Sequence, residues 1–286
     1  MRGNLTTKAG YYVKIQRSLL LYANMYGKEV SFMNREKLLV ESYLTQSLTS
    51  YKKFMDIEKM PSYELILIED ESNQTNFNVI ASHNYDVVSD KHTLKVSKDI
   101  VKGNQDYIIF HEFTHMYDVI TYSAKDLRLY AANRGFTEYH AAQIELLKLL
   151  GVDSIDDKIS FSLTQPIETF TGNTTVLEYV LECRNGTRQH ISNENFADNI
   201  YPLNNVLGMI FNHLGRVSIC QLYANDFELY RDELKNMECE TAFLGNDFLE
   251  MTSLANGFLD ETTVRILGEL YIPFMFDLIE IHKIKF

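Results

Sequence analysis

Proline and cysteine are scarce in this sequence. It contains four prolines and three cysteines among 286 residues, while 45% of its residues are hydrophobic. Disordered chains are poorer in hydrophobic residues, so this composition predicts an ordered, globular protein. Cys183, Cys220 and Cys239 lie far apart and form no CxxC pair, which predicts reduced thiols and no structural disulfide.

Several sequence signatures are also missing. The only apolar run near the N-terminus, residues 19–22, is too short for a secretory signal or a membrane span, so we expect a cytoplasmic protein with no membrane partner. The Walker A and GxGxxG motifs of nucleotide-binding proteins are absent, and so is the GxSxG motif of serine hydrolases. No repeat or low-complexity tract is present.

Positive charge is in deficit. Lysine and arginine number 27 against 39 aspartates and glutamates, which gives a formal net charge of -12. This charge opposes phosphate backbones and anionic membrane surfaces. Nucleic acid is therefore not expected as a principal ligand, and the oligomeric state is left open.

Hydrophobic periodicity predicts an α+β fold in which helices dominate. Strands are predicted at residues 63–68, 77–81 and 93–97, the last as a half-exposed or edge strand. Helices are predicted at residues 11–26, 34–55, from 105 onward with Asn104 as N-cap, 137–150, 176–182, 205–213, 219–237 and 262–281. The interval 123–133 is predicted as turn, and the acidic segment 151–158 divides residues 1–158 from a mainly helical region, 159–286.

Residues 111–115 read HEFTH, an HExxH motif. On a helix this spacing puts His111 and His115 on one face, one turn apart, which suits chelation of a metal ion. Glu112 lies beside them and can reach a metal-bound water as a general base without ligating the metal. An apolar stripe is predicted to bury the other side of the helix: Ile109, Phe113, Met116 and Ile120.

With this motif the sequence resembles the zincin metallopeptidases, and most closely the gluzincins, whose third zinc ligand is a glutamate on a later helix. Residues 138–141 read EYHA and match the Glu-x-x-Ala pattern of that helix. The metzincin pattern is not met, because Asp118 and Thr121 stand where its glycine and third histidine would be. The resemblance covers residues 63–150.

This resemblance implies a zincin-like domain over residues 1–158, a bound Zn²⁺ ion and a peptide or protein substrate. It implies that the strand at residues 93–97 binds substrate by antiparallel addition. Ala142 departs from the family, because thermolysin-like enzymes carry there an aspartate that orients a histidine ligand. Asp118 or Asp126 could replace that aspartate.

The third metal ligand has three candidates. Glu138 and Glu145 are seven residues apart and share nearly the same helix face. We favour Glu138, because it precedes the small residues Ala141 and Ala142, and assign Glu145 a supporting or salt-bridge role. His140 is the weaker alternative, since it is turned roughly 200° from Glu138.

Other histidines have less defined roles. The oxyanion of a peptidase reaction could be stabilised by His140, His190, His213 or a tyrosine, which the sequence does not rank. His83, His92 and His282 have no partners at ligand spacing and are predicted to be structural or surface residues.

Three functions are compatible with these features. The sequence favours a zinc metallopeptidase in which Glu112 activates water and His111, His115 and Glu138 bind the metal. The first alternative is a binding or regulatory protein with a zincin-like fold, motivated by the long helical C-terminal region. The second is an interaction protein in which the HExxH motif is fortuitous.

Overall fold

The computed structural model describes residues 32–68, 80–103, 105–193, 196 and 199–285. These residues form a mixed α+β structure in which helices dominate and the sheets are small. Within these ranges, none of the helices is both long and apolar enough to span a membrane. The helix predicted at residues 11–26 lies outside the described residues.

The described elements follow in chain order. The strands are β1 (Tyr63–Ile68), β2 (Ala81–Asp86), β3 (Lys91–Ser97), β4 (Pro166–Thr169) and β5 (Gly172–Thr175). The helices are α1 (Phe32–Met55), α2 (Asp106–Asp118), α3 (Leu127–Ala132), α4 (Arg134–Leu149), α5 (Val176–Ile191), α6 (Ile200–Tyr223), α7 (Phe227–Lys235), α8 (Glu238–Leu244), α9 (Asn246–Leu254) and α10 (Glu261–His282). A 3₁₀ turn (Lys98–Val101) precedes α2, and a π turn (Val119–Ser123) follows it.

The larger sheet has the order β1-β3-β2, with β3 parallel to β1 and antiparallel to β2. The strand predicted at residues 93–97 is therefore present, but its prediction as an edge strand is wrong because it lies in the centre. Its alternation arises because Leu94 and Val96 are fully buried on one face of the sheet while Lys95 is exposed on the other. Such alternation reports an exposed face and carries no information about strand order.

The two edge strands next to β3 are β1 and β2, and β2 starts where the predicted strand 77–81 ends. Residues 77–79 lie outside the described ranges. The strand itself, with the sequence ASHNYD, has a polar composition that gives little β signal. Its pairing with β3 along residues 91–96 is a tertiary feature that local sequence did not predict.

Several helix boundaries differ from prediction. Gln105, without a side-chain cap bond, occupies the N-cap of α2, and the predicted cap Asn104 lies outside the described residues. The interval 123–133 contains α3, and α4 begins at Arg134 instead of residue 137. The predicted helix 219–237 is broken after Tyr223, where the backbone of Phe161 bonds to Tyr223 and Asn225. The hairpin β4–β5 was not predicted.

Two buried clusters share helix α4. The first joins α1, the larger sheet and α2 to Ile144 and Leu147 of α4, and it also includes Val217 and Phe227 from the C-terminal region. The second lies among α6 and α8–α10 and includes Tyr139 of α4. Residues on both sides of segment 151–158 therefore contribute to both clusters.

All three cysteines are free thiols.

Helices α4 and α6 approach closely at a glycine. A Cβ atom on Gly215 would lie 2.1 Å from the backbone oxygen of Tyr139. Gly208, two turns earlier on α6, faces the side chain of Glu138 at 3.4 Å from its ideal Cβ position. The absence of side chains at these two positions lets α6 pack directly behind the carboxylates of α4.

Candidate metal centre

The HExxH motif lies in the middle of α2, as the sequence predicted. Three members of the predicted apolar stripe are fully buried: Ile109, Phe113 and Met116. The fourth, Ile120, is 37% exposed because the chain has widened into the π turn by that point. Burial of one side of α2 against α1 and the sheet turns His111 and His115 toward α4.

The structure brings His111, His115 and Glu138 together. One ligand atom from each of the three lies within 4.8 Å of the others. Glu138 Oε2 is 3.7 Å from His111 Nε2 and 3.6 Å from His115 Nε2. These distances are too long for good hydrogen bonds. They are close to the spacing of about 3.3 Å between ligand atoms that share a tetrahedral ion with 2.0–2.1 Å bonds.

A buried carboxylate orients His111. Its Nδ1 atom lies 2.7 Å from Glu145 Oε2, so Nε2 is left facing Glu138. The other oxygen of Glu145 accepts hydrogen bonds from Arg216 at 2.9 Å and from the hydroxyl of Tyr179. The Arg216 guanidinium also stacks on the Tyr179 ring at 4.1 Å. Glu145 therefore has the supporting and salt-bridge role expected from sequence, with partners on α5 and α6 that sequence did not predict.

A hydroxyl orients His115. Its Nδ1 atom lies 2.9 Å from Thr137 Oγ1, and Thr137 is close enough to the buried carboxylate of Asp118 to act on the pKa of that group. Asp118 also accepts a bond from His140 Nδ1 at 2.9 Å, so His140 is engaged away from the ligand atoms. Of the two aspartates considered from sequence, only Asp118 contacts this network, because Asp126 caps α3 at Leu129.

Glu112 lies against the sheet. Its Oε2 atom accepts a 2.6 Å hydrogen bond from the backbone N–H of His83 on β2. Burial is the main reason that the pKa of Glu112 rises to about 7, with the negative charge of Glu138 acting in the same direction. A carboxylate with a pKa near 7 is suited to exchange protons at neutral pH.

The charges around the cluster are strongly coupled. Burial alone would lower the pKa of His111, but the carboxylates of Glu138 and Glu145 raise that pKa to about 10. Burial lowers the pKa of His115 to about 3. Although burial opposes it, the positive charges of nearby histidines and Arg134 hold the pKa of Glu138 well below its usual range. Without a metal ion, Glu138 is therefore ionised and His111 protonated at neutral pH, so a metal ion would have to displace the proton of His111.

His83 is the residue at this site that sequence reasoning missed. Its ring stacks between His92, at 5.2 Å between centroids, and His115, at 6.4 Å, and its Nε2 lies 3.0 Å from His92 Nδ1. It comes from an unpredicted strand, so no spacing in the sequence links it to the motif.

Two of the histidines considered as oxyanion-stabilising residues lie on the helices of the C-terminal region. His213 is fully buried between the backbone oxygens of Val180 and Leu234 and does not face the cluster. His190 lies in the last turn of α5.

Comparison with known proteins adds no relative. No family model, curated protein or solved structure matches this chain. Any function must therefore be argued from the geometry of the site, whose His111, His115 and Glu138 could hold a metal ion.

Proposed function

We propose that this protein is a zinc-dependent peptidase of the zincin type. The observation that carries the proposal is the convergence of three ligand atoms from two helices: each Nε2 atom of the HExxH motif lies 3.6–3.7 Å from one carboxylate oxygen of Glu138. Two histidines and a glutamate are a known ligand set of catalytic zinc, which keeps one position open.

The residues around the cluster fit such an ion. The Nδ1 atom of each motif histidine is bonded to a protein group, which leaves Nε2 as the ligand atom, as is usual for zinc-binding histidines. A bound zinc ion would polarise a substrate carbonyl and lower the pKa of water to about 7. Two histidines and one carboxylate also suit other divalent metals, so metal analysis decides the identity of the ion.

Glu112 would act as the general base. It is adjacent to His111 but is not part of the ligand cluster, so its carboxylate is free to accept a proton from water and later donate it to the leaving amine. The hydrogen bond from His83 holds the carboxylate at one orientation.

Strand β2 would bind the substrate. The N–H of His83 points toward Glu112 and away from β3, whereas Ile80 bonds to β3 through Ser97. By the two-residue period of strands, the backbone groups of Ala81 and Tyr85 share the outward direction of His83. No strand in the described ranges pairs with this edge. An extended peptide could add to this edge through the backbone groups of Ala81 and Tyr85, on either side of the His83 N–H that bonds to Glu112.

The test measures metal content and peptide cleavage separately. Purified protein should contain near-stoichiometric zinc and cleave members of a synthetic peptide mixture, as detected by mass spectrometry. Glu112→Gln should retain zinc and lose cleavage by about 100-fold or more. Glu64→Gln, a matched change on the exposed side of β1, should retain both zinc and cleavage. Zinc-loaded wild type that cleaves no peptide would contradict the proposal.

A further inference from the structure

The first residue of α4, Arg134, places a cation at the edge of the metal centre. One terminal nitrogen of its guanidinium lies 3.1 Å from Glu138 Oε1, and the side chain is 41% exposed. The hydroxyl of Tyr130 lies close enough to act on the pKa of Arg134. A guanidinium has five N–H donors, more than its bond to Glu138 uses.

Arg134 lies next to the cluster because it bonds to one of the two carboxylate oxygens of Glu138. Glu138 uses Oε2 toward the two histidines and Oε1 toward Arg134. The guanidinium is also near enough to His115 and to His83 of β2 for its charge to act on both imidazoles. Arg134 is therefore close to a metal ligand and to the outward edge of β2.

The negative charges near Arg134 make it the residue best placed to attract an anionic group of a substrate. Three carboxylates, Glu112, Glu138 and Glu145, surround the cluster in a chain of net charge -12. A zinc ion at the cluster would offset part of this negative charge, and a cation at the rim would add to the attraction for an anionic group on a substrate. Arg216 cannot serve, because it is buried and engaged with Glu145. Arg134 is partly exposed, and its planar fork matches the geometry of a carboxylate.

We propose that Arg134 is a specificity-determining residue that binds a carboxylate of the peptide substrate close to the scissile bond. This inference rests on the proposed peptidase function. The carboxylate can come from the C-terminus of a short peptide or from an acidic side chain. A purely positioning role, in which Arg134 only orients Glu138, would weaken binding of charged and uncharged peptides equally.

The test uses binding without turnover. The zinc-loaded Glu112→Gln protein is titrated calorimetrically with acetylated tetrapeptides that end in a free carboxylate or an amide, and with amides that carry an internal Asp or Asn. We expect one carboxylate peptide to bind about 10-fold or more tightly than its neutral partner, as a charge-assisted hydrogen bond allows. The pair that shows the preference identifies the source of the carboxylate.

Variants at position 134 assign the preference. Adding Arg134→Met to the Glu112→Gln protein should abolish the preference for the carboxylate peptide. Arg134→Lys should keep part of this preference, since the positive charge remains but the planar guanidinium is lost. Arg128→Met, which removes an exposed cation on α3, should leave it unchanged. Zinc content is measured for each variant, and Arg134→Lys supplies the comparison if Arg134→Met loses zinc.

Three results would overturn this assignment: no binding of any probe, equal binding of charged and neutral probes, or a preference that survives Arg134→Met. Its failure is distinguishable from failure of the proposed function. Equal binding combined with cleavage by wild type removes only the role of Arg134. A carboxylate preference without any cleavage by wild type removes the peptidase and leaves a carboxylate-binding metal site.

Discussion

The two motif histidines have different hydrogen-bond partners. His111 contacts a carboxylate, Glu145, that is itself paired with Arg216, whereas His115 contacts the neutral hydroxyl of Thr137. A carboxylate partner fixes the tautomer of an imidazole and raises its basicity, which strengthens its bond to a metal. A hydroxyl fixes the orientation with less effect on basicity. The residues behind the ligands are therefore expected to contribute unequally to metal affinity.

The first prediction separates Glu138 from Glu145. We expect Glu138→Ala to lower zinc affinity by well over about 100-fold, because a ligand is lost, and Glu145→Ala to lower it by about 10–100-fold, because only the support of His111 is lost. Competition with a zinc-binding dye measures both, and Glu64→Ala on the exposed side of β1 is the control. A larger loss for Glu145→Ala than for Glu138→Ala would show that the ligand assignment is wrong.

The second prediction concerns the hydroxyl that orients His115. Thr137→Val keeps the shape of the side chain but removes the hydroxyl that bonds to His115 Nδ1, so zinc affinity should fall by about 10-fold. Thr121→Val is a matched control, since that hydroxyl bonds only to the backbone of Tyr117 and is exposed. Equal affinities for the two variants would exclude Thr137 from the support of the site.

At the scale of elements, the close packing of α4 against α6 determines where the carboxylates of Glu138 and Glu145 lie. Gly215 allows α6 to approach until an added Cβ atom would lie 2.1 Å from Tyr139 O, which is backbone and cannot rotate away. We therefore expect Gly215→Ala to lower the free energy of unfolding by about 1–3 kcal/mol or more, since the helices must separate. Urea unfolding of the metal-free protein measures this effect.

Gly208→Ala is the control for that prediction. Its added Cβ would lie 3.4 Å from Glu138, an ordinary contact, and the alanine favours the helix by up to about 1 kcal/mol. Stability should stay the same or rise. Equal destabilisation by both substitutions would argue against a specific close approach at Gly215.

Sequence predicted the elements whose signals are local. The helix of His111 and the strand Tyr63–Ile68 have clear periodicity or a continuous apolar run, and both are confirmed. Strand β2 has a polar composition and takes its form from pairing with β3, so neither it nor His83 was predicted. The contact of Arg216 with Glu145 spans 71 residues and left no local pattern. Long-range pairing therefore accounts for what was missed.

At the scale of the whole molecule, the site is a buried set of charges within a shared core. His111 and Glu138 come from the first 158 residues, whereas Arg216 and Tyr179 come from the C-terminal region. Breaking one partner of a buried ion pair costs about 3–5 kcal/mol, because the other charge is left without compensation. The stability of the whole chain is consequently linked to the protonation of this cluster.

The last prediction is an acid-dependent loss of stability. Burial alone would raise the pKa of Glu145, but Arg216 and His111 lower it from 4.5 to about 2 in the folded protein. The unfolded chain therefore binds more protons than the folded chain between these two pH values. The contribution of Glu145 is fully present above about pH 4.5 and is lost as pH falls toward 2. Its size is about 3 kcal/mol.

Urea unfolding of the chelator-treated protein between pH 7 and pH 3 measures this dependence. Glu145→Gln removes the titrating group, so its stability should be lower at pH 7 but should fall less steeply below pH 4.5. Glu64→Gln, at an exposed position, should keep the slope of the wild type. A slope for Glu145→Gln as steep as that of the wild type would show that this buried carboxylate does not govern acid unfolding, and other carboxylates such as Glu138, whose pKa is also lowered, would have to account for it.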